Sequence, residues 1–171
     1  MDCRANCRRA VAVSVAAVFA VLSSCLAAEW RGLDDASWRS GPKLSPESLN
    51  GKVVLVDKWA VFCPPCRAAL PHLEELWRKF RSQPFVLVSS HCVGDDREGI
   101  ARLVKKNSLT FSVYKNAGLV NEPQFNAIPF FYVVDPDGKV VYQGMGFAPA
   151  RAKELEDVIA AELAKLPKEK K

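Results

Sequence analysis

Cys63 and Cys66 are the residues whose types and spacing most directly suggest chemistry. Two thiols three residues apart at the start of a predicted helix can alternate between a dithiol and a disulfide. A thiol at the helix cap faces unpaired N–H groups and the positive end of the helix dipole, which lower its pKa. Pro64 and Pro65 suit the first turn, because their missing N–H groups would be unpaired there anyway. The pattern therefore indicates thiol–disulfide exchange.

Other uses of this cysteine pair are weaker. A structural zinc site needs four ligands, and the two histidines of the chain, His72 and His91, are distant in sequence. An inert disulfide gains little from closing so short a loop. A copper(I) metallochaperone remains an alternative, since thiolates suit that ion, although no methionine-rich segment or nearby histidine supports it.

The elements that must position this pair follow from hydrophobic patterning. The β-branched run from Lys52 to Val56 predicts a buried strand ahead of Cys63. Apolar residues at spacings of three and four predict a helix over residues 64–81. Further strands are predicted at residues 85–89, 109–114, 129–134 and 139–143, and further helices at 95–106 and 150–166. Residues 29–51 are interpreted as a lead-in segment docked through Trp30, Trp38 and Leu44. The order predicts an α/β fold with a central mixed sheet flanked by helices.

Several side chains near the pair need an interpretation of their own. Asp57 is a carboxylate in an otherwise apolar strand, where burial would raise its pKa; a water-facing position at a strand end is the alternative. A Lys58 amine that reaches past its packed stem would add positive charge near the redox pair. Cys92, beside His91, is interpreted as a buried free thiol. His72 is interpreted as exposed, and Arg67 either contacts a partner or lies on a solvated helix face.

The segment from Val53 to Arg67, with Pro71, Ile128-Pro129 and the turn at residues 135–141, resembles thioredoxin-fold proteins. More closely, residues 45–165 resemble the exported TlpA/ResA-like thiol-disulfide oxidoreductases. The 66 residues from Cys63 to Pro129 exceed the spacing in minimal thioredoxins. The resemblance therefore implies a thioredoxin fold with a helix-containing insert between the active-site helix and the cis-proline strand.

The resemblance also implies roles for individual residues. Cys63 and Cys66 would form a reversible disulfide, and Asp57 would move the proton of Cys66. Ile128 and Pro129, joined by a cis peptide bond, would face Cys63 and pair with an extended substrate. Substrate contact is also expected at the residues beside the pair, which are Phe62, where the family usually has Trp, and Pro64 and Pro65.

The function implied is reduction of disulfides in extracytoplasmic proteins, for example in cytochrome c maturation. The partners expected are disulfide-containing proteins and a membrane thiol-transfer reductant, and no cofactor or metal is expected. An oxidant or isomerase stays open, because the direction depends on the reduction potential.

The start of the chain predicts export. Arginines, an apolar run and small residues form a signal peptide over residues 1–28. Leu22-Ser23-Ser24-Cys25 resembles a lipobox, which implies cleavage before Cys25 and its lipidation; the alternative is ordinary cleavage near Ala27 or Ala28. We expect a periplasmic protein, held at the membrane only through the signal or a lipid anchor. Residues 29–166 are the predicted thioredoxin-like domain, and residues 167–171 are a charged tail.

Composition agrees with a folded domain of this kind. The 171 residues are 49 % hydrophobic and 25 % charged, a globular balance that argues against a mainly disordered chain. The net charge is +5, without a block of Lys and Arg that would indicate nucleic-acid binding.

Overall fold

The computed structural model describes residues 28–167. Residues 1–27 of the predicted signal peptide, with the candidate lipidation site Cys25, and residues 168–171 of the predicted tail lie outside the described residues. Within residues 28–167, no helix is both long and apolar enough to span a bilayer.

The described chain forms a mixed β-sheet with helices packed against it. In chain order the elements are β1 (Trp30–Arg31), β2 (Trp38–Ser40), α1 (Pro46–Leu49), β3 (Val53–Trp59), α2 (Pro64–Phe80), β4 (Phe85–His91), α3 (Arg97–Asn107), β5 (Ser112–Lys115), β6 (Gly118–Leu119), β7 (Phe130–Val134), β8 (Val140–Met145) and α4 (Pro149–Ala164).

The main sheet has six strands in the order β2-β5-β4-β3-β7-β8. Strands β3, β4 and β5 run parallel, so their carboxyl ends meet at one edge of the sheet. Strands β2, β7 and β8 pair antiparallel with their neighbours, while β1 and β6 form a separate two-stranded sheet. The predicted mixed sheet flanked by helices is therefore confirmed.

Strand β3 is buried along its whole length and divides two hydrophobic cores. Leu55 and Trp59 face the core beneath α2 and α4, which also contains both cysteines of the pair. Val54 and Val56 face the second core, on the other side of the sheet. Because side chains alternate along a strand, Asp57 and Lys58 point to opposite faces.

The lead-in segment is more structured than its sequence indicated. Trp30, Trp38 and Leu44 pack against the second core, as expected. The segment also forms β1, β2 and α1, which were not predicted because runs of two to four residues carry no readable periodicity. The strand predicted at residues 109–114 begins only at Ser112, although Leu109 and Phe111 are buried in the core.

Candidate active site

The cysteine pair lies where β3 gives way to α2. Cys63 is the N-cap of α2, and its Sγ accepts the backbone N–H of Cys66 at 3.3 Å. The two sulfur atoms are joined in a disulfide. Cys63 is 6 % exposed and Cys66 is 1 % exposed, so Cys63 is the sulfur that a partner can approach. This is the order of accessibility that exchange through an attacking Cys63 requires.

The loop before β7 lies against the pair. The Ile128–Pro129 peptide bond is cis, as expected, and the carbonyl oxygen of Ile128 lies 3.8 Å from Cys63 Sγ. Phe62, Pro64 and Pro65 are exposed beside it, and the Phe62 side chain is 64 % exposed. Of the residues expected to contact substrate, Ile128 therefore lies against the accessible sulfur, and Phe62, Pro64 and Pro65 are exposed next to the cysteines in the chain.

Asp57 is buried, so a water-facing position at a strand end is wrong for this residue. Its side chain lies on the face of β3 that carries the redox pair. Ser89 Oγ, on the paired residue of β4, donates a hydrogen bond to Asp57 Oδ2 at 3.1 Å. Oδ1 has no partner among the described residues. Burial raises the pKa of Asp57 to about 7, and the bond from Ser89 and the charge of Lys58 offset only part of that effect.

Lys58 corrects an expectation, because its amine does not reach past the packed stem toward the redox pair. The side chain is buried on the opposite face of β3. Its Nζ lies 2.6 Å from Glu122 Oε2 and donates to the carbonyl oxygen of Ala117 at 2.7 Å. Burial lowers the pKa of Lys58, while the hydrogen bond to Glu122 acts in the other direction. Its charge is therefore used in an ion pair inside the second core.

His91 is a supporting residue that the sequence did not single out for the redox loop. It is fully buried at the end of β4, and its Nε2 accepts the backbone N–H of Val61 at 3.2 Å. The imidazole packs edge-on against Trp59, with ring centroids 5.2 Å apart. Burial lowers the pKa of His91, which keeps Nε2 available as an acceptor. The sequence did contain a clue to His91, because this histidine ends a strand that is otherwise apolar or small and that runs parallel to β3.

The remaining candidates lie away from the pair or on the surface. Cys92 is a free thiol, half-buried, with Sγ 3.4 Å from the carbonyl oxygen of Trp59. Burial raises the pKa of the Cys92 thiol. His72 and Arg67 are exposed on α2. Within residues 28–167, no group of three or more His, Cys, Asp or Glu side chains is arranged to hold a metal ion.

Comparison with known proteins identifies relatives that are similar in sequence. The chain is 36 % identical over 121 residues to the chloroplastic protein SUPPRESSOR OF QUENCHING 1 of Arabidopsis thaliana. It is 28 % identical over 109 residues to the thiol-disulfide oxidoreductase ResA of Bacillus cereus. These matches cover 67 % and 62 % of this chain, but 11 % of the plant protein and 62 % of ResA.

A solved structure agrees with these matches. A protein assigned as the thiol:disulfide interchange protein DsbE of Chlorobium tepidum superposes with a TM-score of 0.62 at 25 % identity. The superposition covers 74 % of this chain and 92 % of that protein. The family model described as thioredoxin-like matches residues 50–140, which include β3, the cysteine pair and the cis-proline loop. The chain therefore belongs to the thioredoxin-like family and is a TlpA/ResA-like member of that superfamily.

Proposed function

We propose that this protein is a thiol-disulfide oxidoreductase that reduces disulfide bonds in exported proteins. The observation that carries the proposal is a cysteine pair at the N-terminus of α2 with a buried carboxylic acid, Asp57, on the same face of β3. Helix N-termini stabilise thiolates, and a buried acid with a pKa of about 7 can exchange protons near neutral pH. The relatives named as thiol-disulfide oxidoreductases support the same reaction.

The reaction proceeds in two exchanges. In the first, the Cys63 thiolate attacks one sulfur of the substrate disulfide, and the other substrate sulfur leaves as a thiolate that takes a proton from water. In the second, the Cys66 thiol gives its proton to the Asp57 carboxylate, and the Cys66 sulfur attacks Cys63 Sγ. The second substrate thiolate leaves, the Cys63–Cys66 disulfide forms, and two electrons have passed to the substrate.

The loop around the pair supports a binding mode for the substrate. The backbone of Ile128, whose carbonyl lies beside Cys63 Sγ, would pair with an extended substrate segment. The exposed ring of Phe62 and the rings of Pro64 and Pro65 would cover the substrate residues that flank its disulfide. In this binding mode, recognition depends on the direction and shape of the substrate chain more than on its side chains, which suits a reductase with several protein substrates.

Location and partners are also part of the proposal. A signal over residues 1–28, with lipidation at Cys25, would place the domain outside the cytoplasm, where substrate disulfides persist. A membrane thiol-transfer protein would then return electrons to the oxidised pair, and apocytochrome c is one candidate substrate. Mass spectrometry of the mature N-terminus tests this arrangement. A lipidated Cys25 is expected, and a free residue 28 or 29 would contradict lipidation.

The reduction potential separates the reductase from its oxidant or isomerase alternatives. Equilibration of the purified protein with glutathione gives the midpoint of the Cys63/Cys66 couple. We expect a value close to that of thioredoxin, about −270 mV, and a value close to that of the oxidant DsbA, about −120 mV, would contradict a reductase.

Single substitutions test the order of the two exchanges. Cys66→Ser should accumulate a mixed disulfide between substrate and Cys63, because the resolving thiol is missing. Cys63→Ser should accumulate none at Cys66, because that sulfur is buried. Non-reducing mass spectrometry after reaction with a disulfide peptide measures both. Equal trapping by the two variants would contradict the assigned roles.

A further inference from the structure

Positive charge is concentrated in a cavity formed by β2, the end of β5 and the chain that follows β4. The cavity has a volume of about 430 Å³. Its charged lining consists of four cations and one carboxylate, which are Arg31, Arg39, Arg97, Lys115 and Asp95. We call it the basic cavity.

Asp95 is shared among three of these cations. Its carboxylate lies 2.7 Å from Arg39 Nη2, 3.5 Å from Arg97 Nε and 3.8 Å from Lys115 Nζ. The hydrogen bond from Arg39 is the largest cause that lowers the pKa of Asp95. Arg31 is compensated by its own ion pair with Glu122, and Asp34 offsets part of the charge of Arg39. The excess positive charge therefore comes from Arg97 and Lys115, which share Asp95 with Arg39 at longer distances, and this excess attracts anions.

Arg39 forms a fixed wall of the basic cavity. Its side chain is 4 % exposed, and its guanidinium also donates to the carbonyl oxygens of Ala36 and Trp38. Its Nε is buried and has no partner among the described residues. Because Arg39 is so little exposed, it fixes the wall and Asp95, and the contacts with an incoming anion are left to the more exposed Arg97 and Lys115.

The basic cavity continues toward the loop that faces the redox pair. Arg31 and Asn116 also line a neighbouring cavity of about 260 Å³, whose other walls are Lys58, Cys92, Glu122 and Phe125. The Glu122 carboxylate there is compensated by Arg31 and Lys58. The Phe125 ring stacks on Phe130, the residue after the cis proline, at 5.0 Å between centroids. The backbone N–H of Cys92 bonds the carbonyl of Trp59, at the end of β3. A protein bound at the redox pair could therefore extend along this edge of the sheet.

We propose that the basic cavity binds the carboxylate side chains of an acidic segment in the protein whose disulfide reacts at Cys63. This inference rests on the proposed function, because the segment belongs to the substrate of that reaction. Charge complementarity along the surface that a bound substrate covers raises the rate of encounter and favours acidic substrates over neutral ones.

Matched peptides and matched variants test the cavity by binding. One labelled peptide is rich in Asp and Glu, the other has Asn and Gln at those positions, and both carry Ser in place of Cys. Fluorescence anisotropy with the oxidised full chain at low salt should show about tenfold tighter binding of the acidic peptide. Equal affinities of wild-type protein for the two peptides would overturn the proposal, whatever the behaviour of any variant.

The test variant is Arg97→Gln/Lys115→Gln, which spares the buried Arg39. The control is Arg102→Gln/Lys105→Gln, which removes two cations from exposed positions of α3 outside the cavity lining. Loss of two ion pairs should weaken binding of the acidic peptide about fivefold in the test variant. The control variant should bind as wild type. Equal losses in both variants would show a general effect of net charge and overturn the site.

A second readout separates this proposal from the proposed function. The same peptides are made with a disulfide, and their reduction by the reduced protein is timed. Faster reduction of the acidic peptide, lost in the test variant, supports both proposals. Charge-selective binding without reduction of either peptide would contradict the proposed function alone. Equal reduction of both peptides would contradict the cavity's role alone.

Discussion

Asp57 and Lys58 are neighbours in β3, yet the two faces of the sheet provide very different partners for the buried ionisable group. On the face of Asp57, a serine hydroxyl is the hydrogen-bond donor to the carboxyl, and one oxygen has no partner among the described residues. On the face of Lys58, the amine meets a carboxylate and a backbone carbonyl. The two environments differ although the residues are adjacent, because alternation along the strand sends them into different cores.

This difference in partners means that Asp57 is able to exchange a proton, whereas Lys58 has a structural role. A buried acid with few partners costs folding free energy, but its pKa moves to a range where it can accept and return a proton. A buried amine paired with a carboxylate has its charge compensated. Removal of either partner leaves the other as a buried charge whose desolvation cost is no longer compensated. We therefore expect substitutions on the two faces to change stability in opposite directions.

Asp57→Asn should give the largest change. The folded protein keeps the Asp57 proton up to about pH 7, whereas the unfolded chain releases it near 3.8. The free energy of unfolding should therefore fall as pH rises between these values, and the variant should not show this fall. Near pH 8 the oxidised variant should exceed wild type in stability by up to about 4 kcal/mol. Urea unfolding at several pH values measures it.

The same series contains its own control. Near pH 4 the carboxyl is protonated in the folded protein, so the variant and wild type should differ least there. A stability difference that stays constant with pH would mean that Asp57 does not titrate in this range, and the comparison of the two faces would fail.

Glu122→Gln should destabilise the protein on the other face. Glu122 contacts both Lys58 and Arg31 and accepts a hydrogen bond from Tyr132. Its loss leaves a buried amine without a carboxylate, at a cost of about 3 kcal/mol. The double variant Lys58→Met/Glu122→Gln removes both charges and should recover most of that loss. Urea unfolding of the three proteins measures both effects, and a double variant as unstable as the single one would disprove charge compensation.

His91→Leu should have the smallest effect on stability. The variant removes the acceptor of the Val61 N–H in the loop before Cys63, which should cost about 1 kcal/mol. His91→Gln keeps an acceptor at the end of its side chain and serves as the matched control. Amide hydrogen exchange at Val61 should be faster in the leucine variant than in the glutamine variant. Equal exchange rates would show that His91 does not hold this loop.

The parts of the site that sequence reasoning found are local. The cysteine spacing, the adjacent prolines and the apolar face of α2 lie within one stretch of chain, so their geometry follows from helix rules. The cis bond before Pro129 required the family resemblance, because a proline permits but does not dictate that isomer.

The parts that sequence reasoning missed depend on distant residues. The Lys58 amine was expected to add charge near the redox pair only if it reached past its packed stem, and its partner, Glu122, lies 64 positions further along the chain (122 minus 58). His91 reaches Val61 only because β4 lies beside β3 in a specific register. Neither pairing follows from local periodicity, because both depend on which strands become neighbours.

The pH dependence of mixed-disulfide resolution tests most directly whether Asp57 serves the redox pair. Double-mixing stopped-flow forms the mixed disulfide at Cys63 and then follows its decay in wild type and Asp57→Asn. We expect the wild-type rate to rise through about pH 7 and level off, as Asp57 becomes able to accept the Cys66 proton. The variant should be at least about tenfold slower above that pH and should lack this step. Superimposable profiles from about pH 6 to 9 would contradict a proton-accepting role for Asp57.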